Sequence, residues 1–257
     1  MFEPVLLLAA GFFGGMLNSI AGGGSFITFP ALLFVGVPPI SANATNTFAS
    51  CSGYLSGAYA FRKELREHKK ALPLIMLISL LGGVTGAWLL LQMPESLFRE
   101  AIPWLLLFAI LLFVFGEKLN QSLRQYAGAH KYASSFGHLM LILVLLGITI
   151  YGGFFNAGLG IIALSYLALA GYTNINTMNG IKLLISSTVS LVAIALFIAD
   201  GVIAWYEGVL VLVGTLCGGY IAAHFSRKLP QQLVRGFVVL IGNLVTVYYF
   251  YDVYLVS

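Results

Sequence analysis

Three consecutive glycines, Gly22, Gly23 and Gly24, lie in the middle of an apolar stretch that runs from Val5 to Val37. A helix should unwind there, because glycine has no Cβ to hold helical φ and ψ and no side chain to pack. In a bilayer, unwound backbone leaves N–H and C=O groups unpaired, which is tolerated only against protein or a water-filled cavity. The stretch therefore predicts a helix broken at membrane depth, a feature of transporter substrate sites.

The composition supports a membrane protein. Of 257 residues, 60% are hydrophobic and 9% are charged, whereas average soluble domains carry roughly 25% charged residues. The net charge of +4 does not indicate a nucleic-acid partner, because the basic residues cluster in loops. Cys51 and Cys217 both fall in apolar spans, where free cysteines behave as small hydrophobic residues and imply no disulfide framework.

The chain contains a duplicated unit. One pair of similar segments would be weak evidence, since glycine and asparagine recur by chance, but several pairs in the same order indicate duplication. The matching segments are 14–18 with 152–156, 43–46 with 176–179, 82–83 with 218–219, and 94–99 with 230–235.

Each unit is predicted to hold a glycine-broken hairpin followed by three transmembrane helices, in an all-α polytopic membrane protein. The first membrane repeat covers residues 1–117, a polar cytoplasmic linker covers 118–135, and the second repeat covers 136–257. The predicted apolar segments are 5–21, 25–37, 41–61, 71–91 and 97–117 in the first repeat, and 137–156, 160–171, 175–199, 203–225 and 232–252 in the second.

Basic residues predict that the two repeats have inverted topology. Loops rich in Lys and Arg face the cytoplasm. Basic residues fill loops 62–70, 118–135 and 226–235, and are absent from loops 36–41, 171–175 and 199–206. The loop after the first long helix is therefore inside in one repeat and outside in the other. Both termini are predicted outside the membrane.

Inversion requires an odd number of crossings in each repeat, so the broken segment must return to the side it left. Residues 25–37 are shorter than the ~20 needed for a span. This favours a re-entrant hairpin with its tip near the midplane. Two full crossings would preserve the same parity and remain the alternative.

Lys182 is the one charged residue deep inside a predicted span, with Ile181 before it and Leu183 after it. An ammonium at that depth costs several kcal/mol unless it is paired or hydrated, so a functional role is expected. Asn179 and Ser186 lie on the same helical face, at spacings of three and four residues. The alternative is a lysine that snorkels to the interface, but the position is too deep for an easy reach.

The polar residues of the two broken tips complete a predicted anion site. Free N–H groups where the second arm of each hairpin begins carry partial positive charge and can hold an oxyanion. The amides could instead make interhelical hydrogen bonds. Asn43 and Asn176 are predicted as helix caps, and the glycine pairs at 82–83 and 218–219 as close-packing sites. The predicted substrate-binding residues are Asn18, Gly22, Gly23, Gly24, Ser25, Asn46, Asn156, Gly158, Gly160, Asn179, Lys182 and Ser186.

Catalytic chemistry has no candidates in this sequence. Every carboxylate lies in a loop or near a predicted helix end, and the four histidines lack metal-ligand spacing. No nucleophile–base pair or phosphate loop is recognisable. The sequence predicts no catalytic residue, no metal and no cofactor, and it favours a transporter over an enzyme. The alternatives are a membrane-embedded enzyme and a non-transporting membrane subunit.

Several of these motifs resemble the sulfite exporter TauE/SafE family of membrane permeases. They are residues 18–25 followed by Thr28 and Pro30, residues 42–46, residues 152–155, and residues 179–184 around Lys182. The resemblance covers nearly the whole chain. It implies a permease for sulfite, a sulfonate such as sulfoacetate, or a related sulfur oxyanion. Its partners would be a small anionic substrate and the lipid bilayer, with a coupled proton or other ion and a homodimer left open.

Overall fold

The computed structural model describes residues 2–20, 23–129, 135–225 and 231–255, and the side chains of 2–18, 23–116, 137, 139–221 and 236–255. Within these residues the chain forms eleven helices and no strand, which confirms the all-α prediction. The helices are α1 (Phe2–Ile20), α2 (Ser25–Phe34), α3 (Pro39–Ala60), α4 (Arg62–Glu67), α5 (Leu72–Gln92), α6 (Glu95–Ala129), α7 (Ser135–Phe154), α8 (Leu159–Leu169), α9 (Ile175–Ala199), α10 (Trp205–Phe225) and α11 (Gln231–Tyr254).

Four helices are long and apolar enough to cross a membrane in the part of the chain that is described. They are Leu72–Gln92, Glu95–Gly116, Ile175–Ala199 and Gly236–Tyr254. Their outer faces carry exposed large apolar side chains, such as Leu77 and Trp88 on α5, which are 54% and 53% exposed. Such faces suit lipid rather than water, so the chain is a membrane protein.

The chain reverses direction between α1 and α2. Gly14 on α1 lies beside Thr28 on α2, and Gly24 lies beside Asn18, so α2 runs back along α1. A Cβ on Gly24 would overlap the backbone of Gly14, and this close approach requires glycine. With 10 and 11 residues, α2 and α8 extend only about 15 Å, roughly half of the hydrocarbon thickness. Their length supports a re-entrant hairpin.

The hairpin of each half packs against helices of the other half. Helix α1 packs along α10, and α7 packs along α5, while α2 contacts α11 and α8 contacts α6. Small residues bring the backbones together, because a Cβ on Gly86 would overlap the Ile150 carbonyl and one on Gly218 would overlap the Phe12 carbonyl. Gly82 packs against Thr149 in the same way. These contacts agree with the predicted close-packing role of the glycine pairs.

Helices α3 and α9 pack against each other between the two halves and run antiparallel. Gly57 faces Leu183, and Phe61, further along α3, faces Gly180, which comes earlier on α9. These are the corresponding helices of the two repeats, and corresponding helices of opposite direction are what inverted repeats require. The inverted topology itself is a hypothesis, tested below.

Three boundaries differ from the sequence prediction. Helix α6 continues to Ala129, through most of the segment predicted as a linker. A short helix, α4, lies in the basic loop. Helix α2 ends at Phe34 because Gly36 adopts φ +86°, and its N–H and that of Val37 donate to the carbonyls of Leu33 and Leu32, a glycine-based C-terminal cap.

Candidate functional site

Asn46 on α3 fastens the tip of the first hairpin. Its Oδ1 accepts a hydrogen bond from Thr28 Oγ1 at 2.5 Å, and its Nδ2 donates to Ser25 Oγ at 3.2 Å. Thr28 Oγ1 also contacts the Gly24 carbonyl at 3.2 Å. Asn46 is 1% exposed and Ser25 7%. The amide predicted to bind substrate therefore has protein partners on both its oxygen and its nitrogen.

The remaining predicted residues of the first tip differ from one another in burial and in contacts. Asn18 is partly buried beside Gly53, and it makes no hydrogen bond within the described residues. Gly23 adopts φ +89°, and Gly24 is buried against Gly14. Gly22 lies outside the described residues.

Asn156 occupies the tip of the second hairpin and connects it to both central helices. Its Oδ1 accepts a hydrogen bond from Tyr54 on α3 at 2.9 Å, and its Nδ2 donates to Ser190 on α9 at 3.0 Å. Asn43 on α3 donates to the Phe154 carbonyl at 2.9 Å. The next residues lead into α8 through Gly158, which precedes the helix with φ +83°.

Lys182 lies beside this second tip. It is the eighth residue of α9 and is partly buried. Its aliphatic stem runs along the start of α8, where a Cβ built on Gly160 would lie 3.4 Å from Lys182 Cδ. Within the part of the chain that is described, no hydrogen bond or ion pair involves the Lys182 ammonium, and the Gly160 N–H also has no partner.

Ser186 lies one helical turn after Lys182 and is 2% exposed. Its hydroxyl makes no hydrogen bond to any residue that the structure describes. Asn179, one turn before Lys182, is partly buried and likewise makes none. Asn179, Lys182 and Ser186 thus lie on one face of α9, as the sequence predicts. Their side-chain polar atoms have no protein partners in the described region.

Two carboxylates have partners away from the second tip. Glu95 accepts a hydrogen bond from the Ile40 N–H at 3.1 Å, and Asp252 forms an ion pair with Arg99 at 3.1 Å. The described residues contain no group of three His, Cys, Asp or Glu side chains that could hold a metal ion. The second tip therefore offers N–H, O–H and ammonium donors, a set that suits an anion.

Two cap predictions are wrong. The N-cap of α9 is Asn174, whose Oδ1 accepts from the N–H groups of Asn176 and Thr177 at 2.9 and 3.2 Å, so Asn176 is not the cap. Asn43 is inside α3, because that helix begins at Pro39 with a proline in its first turn. A proline fits in the first turn of a helix because backbone N–H groups there have no partner within the helix, so the N–H that proline lacks is not needed.

Tyr54, which donates a hydrogen bond to Asn156, is not among the residues predicted from the sequence. Its spacing offered a signal, since Tyr54 lies eight residues after Asn46 and therefore on the same helical face. A tyrosine in an apolar helix resembles its aromatic neighbours in sequence, but its hydroxyl needs a hydrogen-bond partner when it is buried.

These features define a class: a polytopic helical membrane protein whose broken helices surround a polar interior. The family model described as "Sulfite exporter TauE/SafE" matches residues 7–249. The chain belongs to this family of membrane transporters.

Curated relatives agree with that class. A "Probable membrane transporter protein" of Haemophilus influenzae is 30% identical over 248 residues, covering 96% of this chain and 94% of the relative. "Probable membrane transporter protein YfcA" of Escherichia coli strain K12 is 30% identical, covering 98% and 92%. "Probable membrane transporter protein YdhB" of Bacillus subtilis is 27% identical, covering 86% and 88%. No solved structure matches the chain.

Proposed function

We propose that the protein is a secondary transporter that moves a small anion across the cell inner membrane. The substrate is sulfite, a sulfonate such as sulfoacetate, or a related sulfur oxyanion. It binds between Lys182 and the N-terminal end of α8, with Ser186 as a further donor.

This proposal is carried by the Lys182 ammonium, which lies beside the start of α8 and has no partner among the described residues. A charged group inside a membrane helix is costly unless something compensates its charge. A bound anion would compensate it directly. The N-terminus of α8 contributes partial positive charge and a free N–H at Gly160. Both donors are present before substrate arrives, so little reorganisation is required on binding.

The charge of the site favours an anion with a single negative charge, so among these candidates sulfite in its hydrogensulfite form suits it better than sulfoacetate, which is a dianion at neutral pH. Among the side chains that the structure describes around the second tip, Lys182 is the only Lys, Arg, Asp or Glu. One ammonium neutralises one charge, and a second negative charge would have to be desolvated against helix-end partial charges alone. The name of the family, sulfite exporter, supports a sulfur oxyanion.

A thermal-shift screen tests the proposal. Purified protein in detergent is heated with sulfite, thiosulfate, sulfoacetate, taurine, sulfate and acetate in separate samples. A ligand that binds only the folded state stabilises it as RT ln(1 + [L]/Kd), about 2.7 kcal/mol at 100 times Kd. Sulfur oxyanions should raise the melting temperature most, and the Lys182→Met variant should lose that shift. An equal response to every anion, or none, would contradict the proposal.

A further inference from the structure

The two hairpin tips can be aligned residue by residue from their backbones. Gly23 and Gly158 have φ of +89° and +83°, and Gly36 and Gly171 have φ of +86° and +87°. Both pairs are 135 positions apart. The caps at the ends of α2 and α8 use the same hydrogen bonds, Gly36 N–H to Leu33 O and Gly171 N–H to Ala168 O. The second arms of the two hairpins, α2 and α8, therefore share one register.

The helices that follow have nearly the same register. Helix α3 has its N-cap at Pro38 and α9 has its N-cap at Asn174, 136 positions later. Asn46 and Lys182 are each the eighth residue after the N-cap, so they occupy equivalent positions. This register differs by three positions from the pairing of segments 43–46 and 176–179 by sequence similarity, and it matches Asn43 with Asn179.

Equivalent positions carry different chemistry in the two halves. On the first hairpin, Ser25 and Thr28 offer hydroxyls, and both bond to Asn46. On the second hairpin, the equivalents are Gly160 and Ala163, which offer none. Ser25, Thr28 and Asn46 at the first tip thus satisfy one another, whereas the second tip pairs a lysine with a glycine and leaves the ammonium without a partner in the described residues.

From this asymmetry we infer that the transporter binds one anion per chain, at the second tip only, and that Gly160 keeps this site open. The Asn46–Ser25–Thr28 cluster is its closed counterpart and serves as a structural clamp. The inference rests on the proposed function and deepens it. It reassigns Asn46 and Ser25 from substrate binding to positioning the first hairpin.

Position 160 provides a direct test, because glycine is not required there by the backbone. Gly160 has no positive φ, and a Cβ would touch only the Lys182 stem, at 3.4 Å or more. Gly160→Ser introduces the residue found at the equivalent position 25. Its hydroxyl should accept a hydrogen bond from Lys182 as Ser25 does from Asn46, and thereby compete with the anion. Gly160→Ala adds the same Cβ without a hydroxyl and is the matched control.

Sulfite binding to detergent-purified protein, measured by calorimetry in oxygen-free buffer, gives both stoichiometry and Kd. We expect one sulfite per wild-type chain. Gly160→Ser should bind sulfite with a Kd at least about tenfold higher than that of Gly160→Ala, the range for a hydrogen bond to a charged group. Unchanged or tighter binding by Gly160→Ser, or an equal loss in Gly160→Ala, overturns the role of Gly160 and leaves the proposed function standing.

Asn46→Ala tests the other half of the inference. It should lower the melting temperature, because buried hydroxyls lose their partner, yet the folded protein should bind sulfite with a Kd within about threefold of wild type. Two sulfites per wild-type chain, or loss of binding by folded Asn46→Ala, would overturn the single-site assignment. Failure of the wild type to bind any sulfite would overturn both this inference and the proposed function.

Discussion

At the scale of single residues, buried hydrogen bonds hold the second tip between α3 and α9. Tyr54 supplies the bond from α3, through its hydroxyl to Asn156 Oδ1. Removing a hydroxyl from such a pair leaves a buried acceptor unsatisfied, which costs about 1–3 kcal/mol.

Tyr54→Phe should therefore lower the melting temperature by several degrees, since the ring is retained and only the hydroxyl is lost. Tyr206→Phe is the matched control, because Tyr206 is 64% exposed and makes no hydrogen bond within the described residues. Melting curves of both variants in the same detergent provide the measurement. Equal melting temperatures for the two variants would show that the Tyr54 bond does not stabilise the fold.

The sequence predicted the isolated charge at Lys182 well, because a lone lysine in an apolar run is visible without a structure. It could not predict that the Asn46 amide has partners on both its oxygen and its nitrogen, whereas the Lys182 ammonium has none among the described residues. That difference depends on which hairpin residues meet α3 and α9, and these contacts join residues about 20 positions or more apart in the chain. The hydroxyls of Ser25 and Thr28 are visible in the sequence, but nothing in the sequence identifies Asn46 as their partner.

At the scale of elements, the left-handed glycine before α2 controls the shape of the first tip. Gly23 has φ +89°, and a Cβ there would lie 3.1–3.2 Å from Phe113, Phe26 and Val238. A side chain would meet backbone strain of about 1–3 kcal/mol together with crowding by those three neighbours.

Gly23→Leu should abolish transport while the protein still inserts into the membrane. The control is Gly36→Leu at the other end of α2, because Gly36 has φ +86° but no atom within 4 Å of its Cβ position. Gly36→Leu therefore has the same backbone strain as Gly23→Leu but not the crowding by neighbouring side chains. Sulfite flux in proteoliposomes, normalised to inserted protein, compares them. Wild-type flux in Gly23→Leu would show that transport does not depend on the shape of the first tip.

Element boundaries followed the sequence where apolar runs and caps agreed. Helix α9 covers Ile175–Ala199, the predicted segment. Helix α6 extends to Ala129, whereas the sequence predicts a linker from residue 118 because the composition there is polar. Residues 118–129 are rich in Leu, Gln, Lys, Arg and Ala, which favour helix irrespective of polarity.

At the scale of the whole molecule, the exchanged packing of the hairpins and the antiparallel α3 and α9 support inverted repeats. The prediction concerns sides of the membrane, so it needs a labelling experiment. Glu67 and Asp200 are both exposed and follow equivalent long helices. Asp200 is the position chosen for a cysteine label, because the neighbouring Gly201 has a φ of +73° that disfavours any residue with a side chain.

Single cysteines at Glu67→Cys and Asp200→Cys, in a background with Cys51 and Cys217 replaced by alanine, should react with a membrane-impermeant maleimide from opposite sides. Glu67→Cys should label from the cytoplasm, because it lies in the basic loop. Permeabilised cells provide the control for full reactivity of both sites. Labelling of both positions from one side would contradict inverted topology.

The central claim is that Lys182 binds the transported anion, and the Lys182→Met variant tests it most directly. Methionine keeps the length and the apolar contact with Gly160 but removes the charge, so the melting temperature without ligand should not fall. Truncating one member of a buried charge pair typically costs about 2–5 kcal/mol. The Kd for sulfite should therefore rise at least about thirtyfold. Lys182→Arg should be intermediate, because guanidinium keeps the charge but not the compact shape.

Lys63→Met removes the same charge from an exposed position on the short helix α4 and should leave both quantities unchanged. The decisive measurement is the Kd for sulfite of Lys182→Met, read beside its melting temperature. A loss of affinity of thirtyfold or more in a fully folded variant is the predicted result. Binding within about threefold of wild type, or a variant that unfolds without any change in the affinity of its folded fraction, would contradict the assignment of Lys182 to the anion site.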